Sequence, residues 1–142
     1  MTVKTNAEMV AEWHRAFNVP ILDKPTFPSE ARVGLRVNLI AEEVSELFAA
    51  LNNKDIVEVA DALADLLYVT YGMALEFGIP IDEVFEEVQS SNMSKLDEDG
   101  KPIYRDDGKV MKGPNFRLPD IASVLGIHPG FKSVPPVDGE FS

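Results

Sequence analysis

Between Pro28 and Pro80 the chain contains no proline, and its glycines there, Gly34 and Gly72, stand alone. Apolar side chains recur through that stretch at helical spacing: Leu35, Leu39, Ile40, Val44, Leu47, Phe48 and Leu51, then Ile56 onward. Two long helices with a turn at Asn52-Asn53-Lys54 satisfy this pattern. The spacing predicts one helix from Ser29 to Leu51. It predicts another from Asp55 to Phe77, capped by Asn53 or Asp55 and ended by Gly78. A first helix is expected over Asn6–Phe17 with Asn6 as its cap. A fourth is expected over Pro80–Asn92, because proline suits a first helical position.

Beyond Ser94 the pattern breaks. Two turn signals, Asp97-Glu98-Asp99-Gly100 and Asp106-Asp107-Gly108, flank Ile103-Tyr104-Arg105, which fits either a short hairpin or an ordered loop. Residues Leu118–Leu125 fit one short helix, and residues 126–142 read as an irregular tail. The expected architecture is all-α. It is one domain over residues 1–142, with a four-helix-bundle-type core over about 6–95 and a loop-rich segment over about 93–125.

The helix from Ile56 to Phe77 is so apolar that a 142-residue chain can hardly cover it, so subunit pairing is expected to finish the core. A homodimer or a homotetramer of two dimers would do so. Composition limits the chemistry. There is no cysteine, which removes disulfides, thiolate metal sites and cysteine nucleophiles. A net charge of −11 argues against a nucleic-acid polymer as partner, though not against a small phosphorylated ligand held through a cation. Neither a signal pattern nor an apolar run of about 20 residues occurs, so a cytoplasmic protein with no membrane partner is expected.

The acidic residues carry the functional signal. Glu58, Asp61 and Asp65 fall within about 60° of one another on an otherwise apolar helix. The preceding helix carries Glu42, Glu43 and Glu46, close enough to repel and without a cation at helical spacing. If the turn folds the helices antiparallel, the two groups face each other. Carboxylates desolvated together without Lys or Arg are costly, and a divalent cation removes the conflict. Oxygen ligands favour Mg²⁺ or Mn²⁺. A solvated acidic face is the competing reading. A di-iron carboxylate site fails because His14 and His128 lie outside these helices.

Glu42-Glu43-x-x-Glu46 followed by Glu58-x-x-Asp61 resembles the paired acidic motif of the all-α nucleoside triphosphate pyrophosphohydrolases, in particular their MazG-like branch. Trp13–Phe17, Ala64–Gly72, Asn92–Lys95 and Asp107–Lys112 carry the likeness further, over about residues 6–120. One departure stands out. The family's second aspartate commonly precedes a Leu-Leu-Tyr run, which points to Asp65, and the glutamate three residues earlier would fall at Ala62.

The resemblance implies metal-dependent hydrolysis of a nucleoside triphosphate to monophosphate and pyrophosphate, with two or three Mg²⁺ or Mn²⁺ ions per site. Glu43, Glu46, Asp61 and Asp65 would be ligands, with Glu58 as a further one, and Glu42 or Glu43 would orient or deprotonate the water. Asn92 and Lys95, with Lys109 and Lys112, would meet phosphate. Trp13, His14, Phe17 and Asn38 are the candidates for base and sugar. Three other functions also fit: a dUTP-specific diphosphatase, a phosphoribosyl-ATP pyrophosphohydrolase, and a non-catalytic oligomer stabilised by metal.

Overall fold

The computed structural model describes residues 3–127, and they form an all-α protein with no strand among them. The tail from residue 128, including His128, lies outside the described residues. Five helices follow in order: α1 (Asn6–Ala16), α2 (Glu30–Asn52), α3 (Ile56–Glu76), α4 (Ile81–Met93) and the single turn α5 (Ile121–Val124). The backbone gathers into two compact units, Met1–Asp82 and Glu83–Ser142.

In the first unit α2 packs along α3, and α1 packs against α3. Local chemistry sets the helix ends. The cap of α1 is Thr5, not Asn6: its hydroxyl accepts from Glu8 N while the Glu8 carboxylate accepts from Thr5 N. This reciprocal pair satisfies two otherwise orphaned donors, which Asn6 one residue later would not. Ser29 caps α2. Asp55 is the residue that caps α3, accepting from Val57 N and Glu58 N.

At the end of α3, Gly78 has φ +66, and the Lys24 carbonyl occupies the space a Cβ would need. Thr26 N donates to Phe77 O and Leu22 N to Leu75 O, so the loop after α1 is strapped onto the end of α3. The side chains of Val10, Ala50, Ala62, Ala74 and Phe77 form a small apolar core. Much of α2 and α3 remains uncovered: Ile56 is 78% exposed, and Phe48, Leu51, Val57, Leu63 and Leu67 are exposed as well.

The second unit is a loop-rich layer built on α4. Arg117 ties it together: Nη1 donates to Glu87 at 2.7 Å and Nη2 to Ser90 Oγ, while Ser91 Oγ donates to the Arg117 carbonyl. The segment after Ser94 is an ordered loop with one antiparallel bridge, Tyr104–Val110. Side chains turn its two bends: Asp97 accepts from Asp99 N and Lys101 N, and Asp107 from Lys109 N. Each bend uses a glycine with positive φ, Gly100 and Gly108. Asp120 caps α5, which is shorter than the Leu118–Leu125 expectation because Pro119 precedes the cap and Gly126 follows at φ +69.

Candidate metal and nucleotide site

Along α2, Arg36, Leu39, Glu43, Glu46 and Ala50 alternate at three- and four-residue steps. Along α3, Ala62, Asp65, Val69, Gly72 and Glu76 do the same. These are the seams by which two packed helices meet. One end of the α2–α3 pair carries the buried alanines Ala50 and Ala62. Near its middle, carboxylate oxygens of Glu43, Glu46 and Asp65 lie within 4.8 Å of one another.

Glu43 and Asp65 are half-buried and Glu46 is exposed; Glu43 stands apart in one atom. Its Oε2 is shut from solvent and has no hydrogen-bond partner. Burial first, then the negative charges of Glu46 and Asp65, a hydrogen bond shared with the Glu46 carboxyl, and the charge of Glu42 hold its carboxyl above the ordinary range. No ion pair among the described residues involves these carboxylates. A buried acceptor without a donor is an exception in folded proteins. Three converging carboxylates with one orphaned oxygen fit a hard divalent cation, since such an ion supplies the missing positive partner.

Glu58 and Asp61, read from the sequence as ligands, stand exposed and outside this group. Angular position alone placed them with Asp65. Along the helix axis, however, Glu58 lies about 10 Å and Asp61 about 6 Å nearer the start of α3. Asp65 is therefore the aspartate that joins the α2 acids. Glu42 is exposed and outside the group as well. It lines a shallow recess of about 450 Å³ on α2 with Asn38, Ala41, Ser45 and Glu46. Glu46 belongs to both the recess and the acid group.

A second recess, of about 490 Å³, is lined by Lys4, Met9, Glu12, Trp13, Ala16, Phe17 and Tyr68. Trp13 and Phe17 stack with ring centroids 4.5 Å apart, and Tyr68 meets Trp13 edge-on at 6.2 Å. Trp13 is thus a half-open surface aromatic rather than a core residue. His14 differs from its expectation. It is only 1% exposed, and its Nδ1 donates to the Pro20 carbonyl at 3.1 Å, so it presents no edge to a ligand. Its neighbours on α1, Trp13 and Phe17, keep the accessible positions.

His14 instead belongs to a buried polar cluster missed in the sequence. Arg32 grips Glu76 through Nε at 3.1 Å and through Nη2, while Arg36 Nη1 lies 3.6 Å from the same carboxylate. Arg36 Nη2 donates to the Val69 carbonyl at 2.7 Å. Arg36 and Glu76 are 5% and 1% exposed. The available signal was charge at seam positions of apolar helices, together with Gly72 between them.

In the second unit Asn92 is exposed near the end of α4 and Lys95 is half-buried just after it. Lys112 lies over the Phe116 ring at 4.9 Å, and Lys109 sits in the second bend. Arg105 pairs with Asp107, and Arg117 with Glu87. No single described helix is long and apolar enough to cross a membrane.

Comparison with known proteins points to a family. Residues 10–92 match the phosphoribosyl-ATP pyrophosphohydrolase family, a span that includes every carboxylate of the acid group. An uncharacterised protein of Acanthamoeba polyphaga mimivirus is 42% identical over 82 residues, 55% of this chain. The match covers 33% of that viral protein, so the chain spans about a third of the relative's length. A crystal structure from Exiguobacterium sp. 255-15, of a protein proposed to be an NTP pyrophosphohydrolase, is 28% identical. It covers 88% of this chain and 96% of its own, with a TM-score of 0.47. With the family match extending over more than half of its length, the chain belongs to the phosphoribosyl-ATP pyrophosphohydrolase family, in the MazG-like branch of the all-α NTP pyrophosphohydrolases.

Proposed function

We propose that the chain hydrolyses a nucleoside triphosphate, adding water across the α–β phosphoanhydride to release the monophosphate and pyrophosphate. The observation that carries this reading is the buried, unpartnered Glu43 Oε2 inside a group of three carboxylates in a pyrophosphohydrolase family member. Glu43, Glu46 and Asp65 would hold Mg²⁺ or Mn²⁺, and Asp61, one turn nearer the start of α3, followed by Glu58, would be the candidates for an outer ion once substrate arrives. A bound ion supplies charge neutralisation for the phosphates and a lowered pKa for water.

The protein's own groups do the rest. Glu42 lines the recess beside Glu46 without belonging to the acid group, which suits it to accept the proton of the attacking water. Asn38, in the same recess, would hydrogen-bond the sugar or base. Trp13 offers an aromatic face for stacking, and Asn92, Lys95, Lys109 and Lys112 are the groups for phosphate. The exposed apolar side chains on α2 and α3 support a homodimer or a dimer of dimers.

The test is pyrophosphate release from all common NTPs and dNTPs in Mg²⁺ and in Mn²⁺, with Glu43→Gln as control. Turnover of a nucleotide that falls by about 10²-fold or more in the variant supports the reading. The family's own description favours phosphoribosyl-ATP as a second substrate, and including it in the panel separates the two. Metal bound with no turnover of any compound would leave a metal-stabilised, non-catalytic oligomer.

A further inference from the structure

The polar cluster at one end of the α2–α3 seam has the geometry of a register clamp. Arg36 lies two turns before Glu43 on the same side of α2, and Val69 lies one turn after Asp65 on α3. The bond from Arg36 Nη2 to Val69 O reaches the main chain of α3, which cannot swing aside as a side chain can. Gly72 makes room for it. A Cβ there would fall well inside contact distance of Nη2 and 3.0 Å from His14 Nε2. Glycine inside a helix costs about 0.5–1 kcal/mol relative to alanine, so this notch is not a propensity choice. Glu76 balances the charge one turn further on, itself gripped by Arg32.

Simple stability is a poor explanation for this arrangement. Arg36 Nε is buried with no partner, and a buried, partly paired guanidinium is often matched or bettered by apolar side chains of similar volume. An apolar replacement would not supply direction. A helix pair held by smooth contacts can slide along its axis. A guanidinium fixed to one carbonyl, in one notch, allows a single axial setting. Carboxylates that must share one ion depend on that setting, because their oxygens converge only at one relative height.

We propose that Arg36 is a positioning residue: bonded to Val69 O and seated on Gly72, it sets the axial register of α2 against α3 at which Glu43, Glu46 and Asp65 converge. The proposal rests on those three carboxylates holding a divalent cation.

The experiment is titration of Mn²⁺ alone into the full chain, read by the electron paramagnetic resonance signal of the free ion, with thermal melting alongside. Gly72→Ala keeps every charge and takes the space of the guanidinium. The pair Arg36→Met with Glu76→Leu removes the clamp without stranding a buried charge. Both are expected to weaken Mn²⁺ binding at least about tenfold. Arg36→Lys, which keeps the charge and loses the fork, is expected to fall with them. Val10→Ala loosens the α1 core away from the seam and is expected to stay within about twofold of the parent. A well-folded Arg36→Met/Glu76→Leu protein that binds Mn²⁺ like the parent overturns the proposal. So does Val10→Ala losing as much affinity as Gly72→Ala. Parent binding insensitive to Glu43→Gln would instead show that the metal-site reading itself had failed, and the clamp would fall with it.

Discussion

Two polar clusters lie on the same α2–α3 pair, and they are built on opposite principles. Arg32, Arg36 and Glu76 mix signs and close on one another, with His14 packed beside them. Glu43, Glu46 and Asp65 share one sign, and one oxygen has no partner at all. The first cluster balances its charge within the chain, although Arg36 Nε is left without a partner. The second is complete only when something positive arrives. Charge balance, more than burial, separates a structural polar group from one kept for a ligand.

This contrast is most severely tested by deleting one carboxylate from each cluster. Glu76→Gln leaves Arg36 buried against a neutral group and is expected to destabilise the fold by about 3–5 kcal/mol in a denaturant titration. Glu43→Gln relieves repulsion, so in EDTA the same titration should show no loss of stability, while pyrophosphate release falls by about 10²-fold or more. Equal destabilisation by the two substitutions would erase the distinction. A smaller effect sharpens it: Mn²⁺ at a hundred times its dissociation constant should stabilise the parent by about 2.7 kcal/mol and leave Glu43→Gln nearly unmoved.

The smallest effect concerns pH. Burial is the main cause that holds the His14 imidazole below its ordinary 6.5, with Arg36 and Arg32 adding to it against the opposing Pro20 carbonyl and Glu76. Below that value the unfolded chain takes up this proton before the folded one does. Stability should therefore fall as pH drops from about 6.5, by at most about 1.4 kcal/mol per unit for one proton. The slope should be absent in His14→Asn. A parent whose stability falls no more steeply from pH 7 to 5 than that of His14→Asn would contradict the enclosed placement of His14.

The parts of this molecule readable from sequence are those encoded locally. The ends of α2 and α3 follow from Ser29, Asp55 and Gly78, and the Glu43–Glu46 pair follows from a three-residue step on one helix. Periodicity reports angle around a helix and says nothing of height against its neighbour. That is why one acidic stripe joins Glu58 and Asp61 to Asp65, whereas only Asp65 converges with the α2 acids. The Arg32–Glu76 pair joins residues 44 positions apart, and no local pattern connects them. His14 was misplaced for a related reason. Burial of one ring on α1 depends on which face meets α3, and Trp13 and Phe17 beside it are more apolar yet remain open. In the loop after α4 the turns were legible from Asp-Gly pairs. The role of Arg117 as its fastener, which needs Glu87 on another element, was not.

A cation held between three carboxylates is what activity here requires. A crystal grown with Mn²⁺ and measured at the manganese edge tests it directly. An anomalous peak in coordination contact with Glu43, Glu46 and Asp65 is the predicted result. Manganese seated elsewhere, with a lysine, an arginine or only water meeting Glu43 Oε2, would contradict it.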